Sequence, residues 1–163
     1  MTAHPTPAGP RPPFIATVPG FPRIGAHREL KKAIEAYWRD PALAPELAET
    51  AATLIDRRLK RATATGLDSV PVGTFSFYDQ MLDVAAMVGA LPARIDGIAD
   101  HRTAAATGDD ASAAELLPPW LDRYFAAARG AEGIPPLEMT KWFDTNYHHL
   151  VPELDPARGF AAD

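Results

Sequence analysis

Three cations stand at the start of an amphipathic run. Arg28, Lys31 and Lys32 follow a loop punctuated by Gly and Pro, Gly20-Phe21-Pro22-Arg23-Ile24-Gly25. The apolar residues Leu30, Ala33, Ile34, Tyr37 and Trp38 then recur at helical spacing. A helix N-terminus carries partial positive charge and favours acids, so cations there oppose the dipole. They suit an incoming anion, which side-chain cations and free backbone N–H groups would grip together. A merely solvated helix end fits the same residues, and spacing alone leaves both readings open. The loop has neither GxGxxG nor GxxxxGK[ST], so a nucleotide phosphate cradle has no support.

Two further constellations could carry chemistry. In Met139-Thr140-Lys141-Trp142-Phe143-Asp144-Thr145-Asn146-Tyr147-His148-His149, strand alternation puts Lys141 on the side of Met139 and Phe143. Such a lysine either snorkels to solvent or meets an anionic ligand. Adjacent His148 and His149 point apart on a regular backbone, and no third ligand is set by spacing, which disfavours a metal. In Gly73-Thr74-Phe75-Ser76-Phe77-Tyr78-Asp79, Ser76 lacks a nucleophile elbow. The aromatic residues there fit a pocket wall or core packing equally, and Asp79 fits a helix cap or a ligand-orienting group.

These residues need elements to position them. Short β-prone runs at 14–18, 67–73 and 138–143 read as strands. Helices are expected from about Leu30 to Pro41, from Pro45 to Gly66, from Tyr78 to Val88 and from Pro118 to Ala128. Arg57, Arg58, Lys60 and Arg61 crowd the end of the second helix, where cations complement the dipole, and read as a solvated helix end. Residues 101–114 read as a solvated excursion. Strand and helix alternation predicts an α/β fold with about three parallel strands and flanking helices.

Composition narrows the class. The 163 residues are 47% hydrophobic and 23% charged, which predicts one globular domain at 14–163. Residues 1–13 include five prolines and read as a disordered leader. A net charge of −5 argues against nucleic acid as a partner, and no apolar run is long enough to span a bilayer. The absence of cysteine removes disulfides, thiolate metal sites and thiol nucleophiles, and it fits a reducing cytoplasm.

Four segments together resemble cobalamin-independent methionine synthases. They are Gly20-Phe21-Pro22-Arg23-Ile24-Gly25 with Arg28-Glu29-Leu30-Lys31-Lys32-Ala33, Pro71-Val72-Gly73-Thr74-Phe75-Ser76-Phe77-Tyr78-Asp79, Tyr124-Phe125-Ala126-Ala127-Ala128-Arg129-Gly130, and Glu138 through His148. The resemblance implies an incomplete (β/α)8 TIM-type barrel, part of a family that moves a methyl group from 5-methyltetrahydropteroyl-polyglutamate to homocysteine. It implies that Arg28, Glu29, Leu30, Lys31 and Lys141 bind the methylfolate, whose glutamate tail is a string of carboxylates. The family's zinc and homocysteine sites lie in a C-terminal barrel that this sequence does not contain, so no catalytic residue, metal ligand or cofactor is expected here. The expected chain is a truncated N-terminal piece, inactive alone. The alternatives are a stand-alone folylpolyglutamate-binding module, one that self-associates or pairs with a complementing barrel fragment, and a non-functional gene remnant.

Overall fold

The computed structural model describes residues 14–99, 117, 120–155 and 157. The expected leader and the excursion at 101–114 lie outside the described residues. The first helix, α1 (Glu29–Arg39), buries Leu30, Ile34 and Tyr37, the face set by its apolar spacing. It ends at Asp40, whose carboxylate accepts from Ala42 N at 3.0 Å and starts a 3-10 turn, Pro41–Leu43. Helix α2 (Ala44–Ala64) follows and packs on α1 through Leu47, Ala48, Ala51 and Leu54. Small alanines there bring the helices close, and each buried Leu or Ile contributes about 1.5–3 kcal/mol.

Helix α3 (Gln80–Met87) is capped by Asp79, whose Oδ1 accepts from Met81 N at 2.6 Å and Leu82 N at 3.4 Å. The cap reading of Asp79 is therefore correct. A second 3-10 turn, Ala93–Ile95, buries Ile95. Helix α4 (Leu121–Arg129) stops at Gly130, where φ is +79° and a Cβ would sit 2.8 Å from Ile134 O. Only glycine fits that position. Phe125 of α4 centres an aromatic core. Its ring lies 5.9 Å from Tyr37, 5.3 Å from Trp38 and 6.5 Å from Phe77. The aromatic residues of the 73–79 loop are thus core packing.

The strands depart most from expectation. Among the described residues the sheet has two strands, β1 (Met139–Lys141) and β2 (His148–Leu150), paired antiparallel with Met139 opposite Leu150 and Lys141 opposite His148. The expected third strand shortens to β1, and the segment placed beyond its end turns back as β2. Nor does β1 have a buried face, for all three of its residues are exposed. The hairpin is anchored instead at its base, by buried Leu137 and Leu150.

Residues 14–18 and 67–73 are not strands. They nevertheless run side by side in the same direction. Asp68 N donates to Ala16 O, Thr17 Oγ1 donates to Ser69 O, and Gly20 lies against Thr74. Phe14, Ile15 and Val72 are 72%, 65% and 85% exposed. Parallel pairs persist where both faces are covered, and here nothing among the described residues covers them. Mixed α/β architecture is therefore present, without a parallel ladder in the described residues.

A buried polar network joins these parts. Tyr124, fully buried on α4, accepts from the backbone N–H of Tyr78 and of Asp79 at 3.0 Å each. Its hydroxyl donates to Asp83 Oδ1 at 2.7 Å. Burial, then the Asp83 charge, pushes the Tyr124 hydroxyl up, out of any physiological titration. From the other side Arg23 Nη1 donates to the carbonyls of Ser76 and Phe77, and Nη2 to that of Tyr78 at 2.6 Å.

Burial raises the Asp83 carboxyl above the ordinary 3.8, against hydrogen bonds from Tyr124 and Ser76 that favour its ionised form. A raised native value means that stability is intact at low pH and falls as pH climbs through that value, because the fold must then hold a poorly solvated charge. Asp83→Asn keeps an acceptor for Tyr124 and carries no charge. In urea titrations across pH, the variant should gain on the wild type as pH rises from about 4. A constant difference at every pH would contradict this.

Candidate functional site

The backbone entering α1 is tightly specified. Arg28 N donates to Gly25 O at 3.2 Å and Leu30 N to Ile24 O at 3.0 Å. Gly25 has φ +87°, and a Cβ there would collide with Glu29 Oε2. Arg28 is held at φ +62°, in the left-handed region, and makes no side-chain cap bond. A non-glycine residue held there costs about 1–2 kcal/mol, and such strain persists where the surroundings enforce it.

The helix N-terminus is not bare of acid. Glu29 occupies its first turn, accepts from His27 N through Oε2 at 2.9 Å, and meets Arg57 Nη1 through Oε1 at 3.5 Å. Backbone N–H groups of Glu29 and His27 hold its carboxyl below the usual range. The anion that the dipole favours is thus supplied from within. Any external anion must be met by side chains rather than by a vacant cluster of N–H groups.

The sequence-derived residues divide sharply. Leu30 is fully buried and its N–H is spent on Ile24, so it anchors the stretch in the core. Lys31 lies 3.5 Å from Glu35, both about half exposed, a pair worth about 0–1 kcal/mol and easily exchanged. Among the described residues no hydrogen bond or ion pair engages the side chain of Arg28 or of Lys141, and both are exposed. Lys141 sits on β1, whose partner β2 packs on α3. Arg28 and Lys31 belong to α1, which packs on α2.

The basic cluster of α2 is not simply a solvated end. Arg58 stacks over Phe21 and Phe75, 5.6 and 5.9 Å from their centroids, and Nη2 donates to Thr74 Oγ1 at 2.6 Å. Burial lowers its pKa, and its Nε has no hydrogen-bond partner among the described residues. Arg57 turns to Glu29 as described. Arg23 and Arg58 therefore clamp the Gly20–Gly25 loop against the 74–78 backbone, a role that sequence spacing missed. The available signal was the aromatic residues at Phe21 and Phe75, since stacked cations need such faces.

The donor set for a zinc ion does not fit these residues. The sequence has no cysteine, and the described residues hold no group of three or more His, Cys, Asp or Glu placed to bind a metal.

Residues 15–163 match the family described as cobalamin-independent synthase, N-terminal domain. The chain belongs to the cobalamin-independent methionine synthase family, through that domain. It is 52% identical over 150 residues to a protein of Mycobacterium tuberculosis (strain H37Rv) named 5-methyltetrahydropteroyltriglutamate–homocysteine methyltransferase, covering 92% of this chain and 17% of that protein. Relatives of the same name match at 52% over 148 residues in Mycobacterium leprae, 91% of this chain and 17% of the relative, and at 51% over 150 residues in Corynebacterium glutamicum (strain R), 92% and 18%. The chain thus spans under a fifth of the length of these relatives.

The strain at Arg28 is directly testable. Arg28→Gly should raise the unfolding free energy by about 1 kcal/mol, read as a higher urea midpoint at constant slope. An unchanged or lower midpoint would show that the left-handed backbone carries no strain.

Proposed function

We propose that this chain grips the glutamate tail of a methylated folate, 5-methyltetrahydropteroyl-polyglutamate, as the tail-binding part of a methionine synthase site. Arg28 and Lys31 supply cations on one side and Lys141 on the other. Glu29 holds the N-terminus of α1 in place, and Leu30 fixes the helix in the core. The observation that carries this reading is Arg28, a strained residue whose guanidinium has no partner among the described residues, in a chain of net charge −5. Arginine and lysine heads match successive carboxylates, and charge-assisted hydrogen bonds are the strong ones. The reaction served is methyl transfer to homocysteine, and the relatives' names support that class. The zinc that would activate the thiol has no donor set among the described residues, and this chain's residues bind and orient the tail rather than move a methyl group.

The side-by-side course of 14–20 and 68–74 supports reading the fold as the first part of a (β/α)8 barrel. The exposed Phe14, Ile15 and Val72 on that unpaired edge favour a second reading, a module completed by another barrel piece or by a second copy. Neither reading involves nucleic acid or membrane, and a cytoplasmic setting suits folate chemistry.

Calorimetric titration with 5-methyltetrahydropteroyl mono- and triglutamate tests the tail reading. The triglutamate should bind about tenfold or more tightly than the monoglutamate, and Lys141→Ala should remove most of that gain. Equal affinities, or a Lys141→Ala protein that keeps the gain, would overturn it. With homocysteine and zinc added, the same preparation should form no methionine. Turnover would contradict a purely binding role.

A further inference from the structure

The two cation sets of the proposed tail site sit on different pieces of the fold, yet both pieces attach to one short stretch of backbone. The loop leading to Arg28 is tied to the carbonyls of Ser76, Phe77 and Tyr78 through Arg23. The hairpin carrying Lys141 is tied to the next residue, Asp79. The two oxygens of that carboxylate do different work. Oδ1 caps α3, while Oδ2 accepts from Leu150 N on β2 at 3.1 Å. Asp79 is 7% exposed and Leu150 1%, so this bond is shielded from water.

The hairpin needs such a hold. A two-stranded hairpin is marginal by itself in water. Here β1 and β2 pair over three residues each, and β1 is exposed throughout. Beyond that ladder, Val151 N donates to Glu138 O and Trp142 N to Tyr147 O, both within the hairpin. Its other attachments at the base include the buried Leu137, whose N–H reaches Ala127 O at 2.8 Å, and Leu150, and Arg94, which donates to the carbonyls of Pro135 and Pro136 and pairs with Glu153 on the exposed side. Of these anchors Asp79 is the buried side-chain one, and it lies next to the carbonyls that Arg23 holds.

We infer that Asp79 is a positioning residue for Lys141, setting where the hairpin cation stands relative to Arg28 through the Oδ2–Leu150 bond. This rests on the tail-binding reading for its functional consequence, while the positioning itself does not. Asp79→Asn retains an oxygen to cap α3 and presents an NH2 group to the Leu150 N–H. Asp79→Ser retains a capping hydroxyl and removes the second arm, and it replaces the first variant if that fails to fold.

Two measurements on the 163-residue chain test the inference. In amide hydrogen exchange under native conditions, Leu150 and Trp142 should exchange about tenfold or more faster in Asp79→Asn, while Leu30 and Lys32 on α1 stay unchanged. Unchanged protection at Leu150 and Trp142, or an equal rise on α1, overturns the inference. The second is a double-mutant cycle with 5-methyltetrahydropteroyltriglutamate. Asp79→Asn and Lys141→Ala should each weaken binding, and together no further than the worse of the two. Asp79→Asn and Arg28→Ala should multiply. Multiplicative losses for the first pair overturn the inference even when the wild type prefers the long tail. A wild type that ignores tail length would instead defeat the tail reading, and the exchange result would still decide whether Asp79 holds the hairpin.

Discussion

The hydroxyl of Tyr124 lies where α4, α3 and the 76–79 backbone meet, and most of what gives this chain a defined shape passes through it. Two backbone N–H groups would otherwise be buried without acceptors, at a cost of about 1–3 kcal/mol each. By accepting both and donating to Asp83, Tyr124 locks the stretch that Arg23 then holds from the opposite side. Apolar packing around Phe125 supplies bulk stability, but it is non-directional and cannot set register between loops. The polar network supplies direction, because each donor and acceptor accepts a narrow range of geometry. From it hang the loop that presents Arg28 and, through Asp79, the hairpin that presents Lys141.

Local physics made the helices legible. The spacing of Leu30, Ile34 and Tyr37, the Pro41 break, the Asp79 cap and the Gly130 stop are all properties of a few neighbouring residues, and each element lies where those signals place it. Strands were harder for the opposite reason. Whether β-prone residues at 14–18 or 67–73 form a ladder depends on partners elsewhere, and Phe14 and Val72 lack cover among the described residues. The return of the chain at 148–150 was hidden because His148-His149-Leu150 carries one buried residue and no alternating face.

The candidate site shows the same division. Arg28, Lys31 and Lys141 were visible as cations in unusual places, since charge and helix position are local facts. What surrounds them was not. Glu29 answers the dipole at the N-terminus of α1, which changes the reason for the cations: they are surplus to the helix rather than partners to its open N–H groups. Arg23 and Arg58 were invisible as structural clamps because their partners lie more than a dozen residues away, at Ser76–Tyr78 and Phe21 with Thr74. Four arginines of similar appearance thus have different work: Arg23 and Arg58 hold the loop, Arg57 meets Glu29, and Arg28 has no partner among the described residues.

Equilibrium urea unfolding of Tyr124→Phe measures how far the fold depends on this hydroxyl. Removing one oxygen keeps the ring packing, strands both N–H groups and takes one of its two side-chain hydrogen bonds from the Asp83 carboxyl. The unfolding free energy should fall by about 2–4 kcal/mol, several times what an average neutral hydrogen bond is worth. A loss below about 0.5 kcal/mol, the scale of an ordinary surface change, would show that the fold does not depend on this hydroxyl.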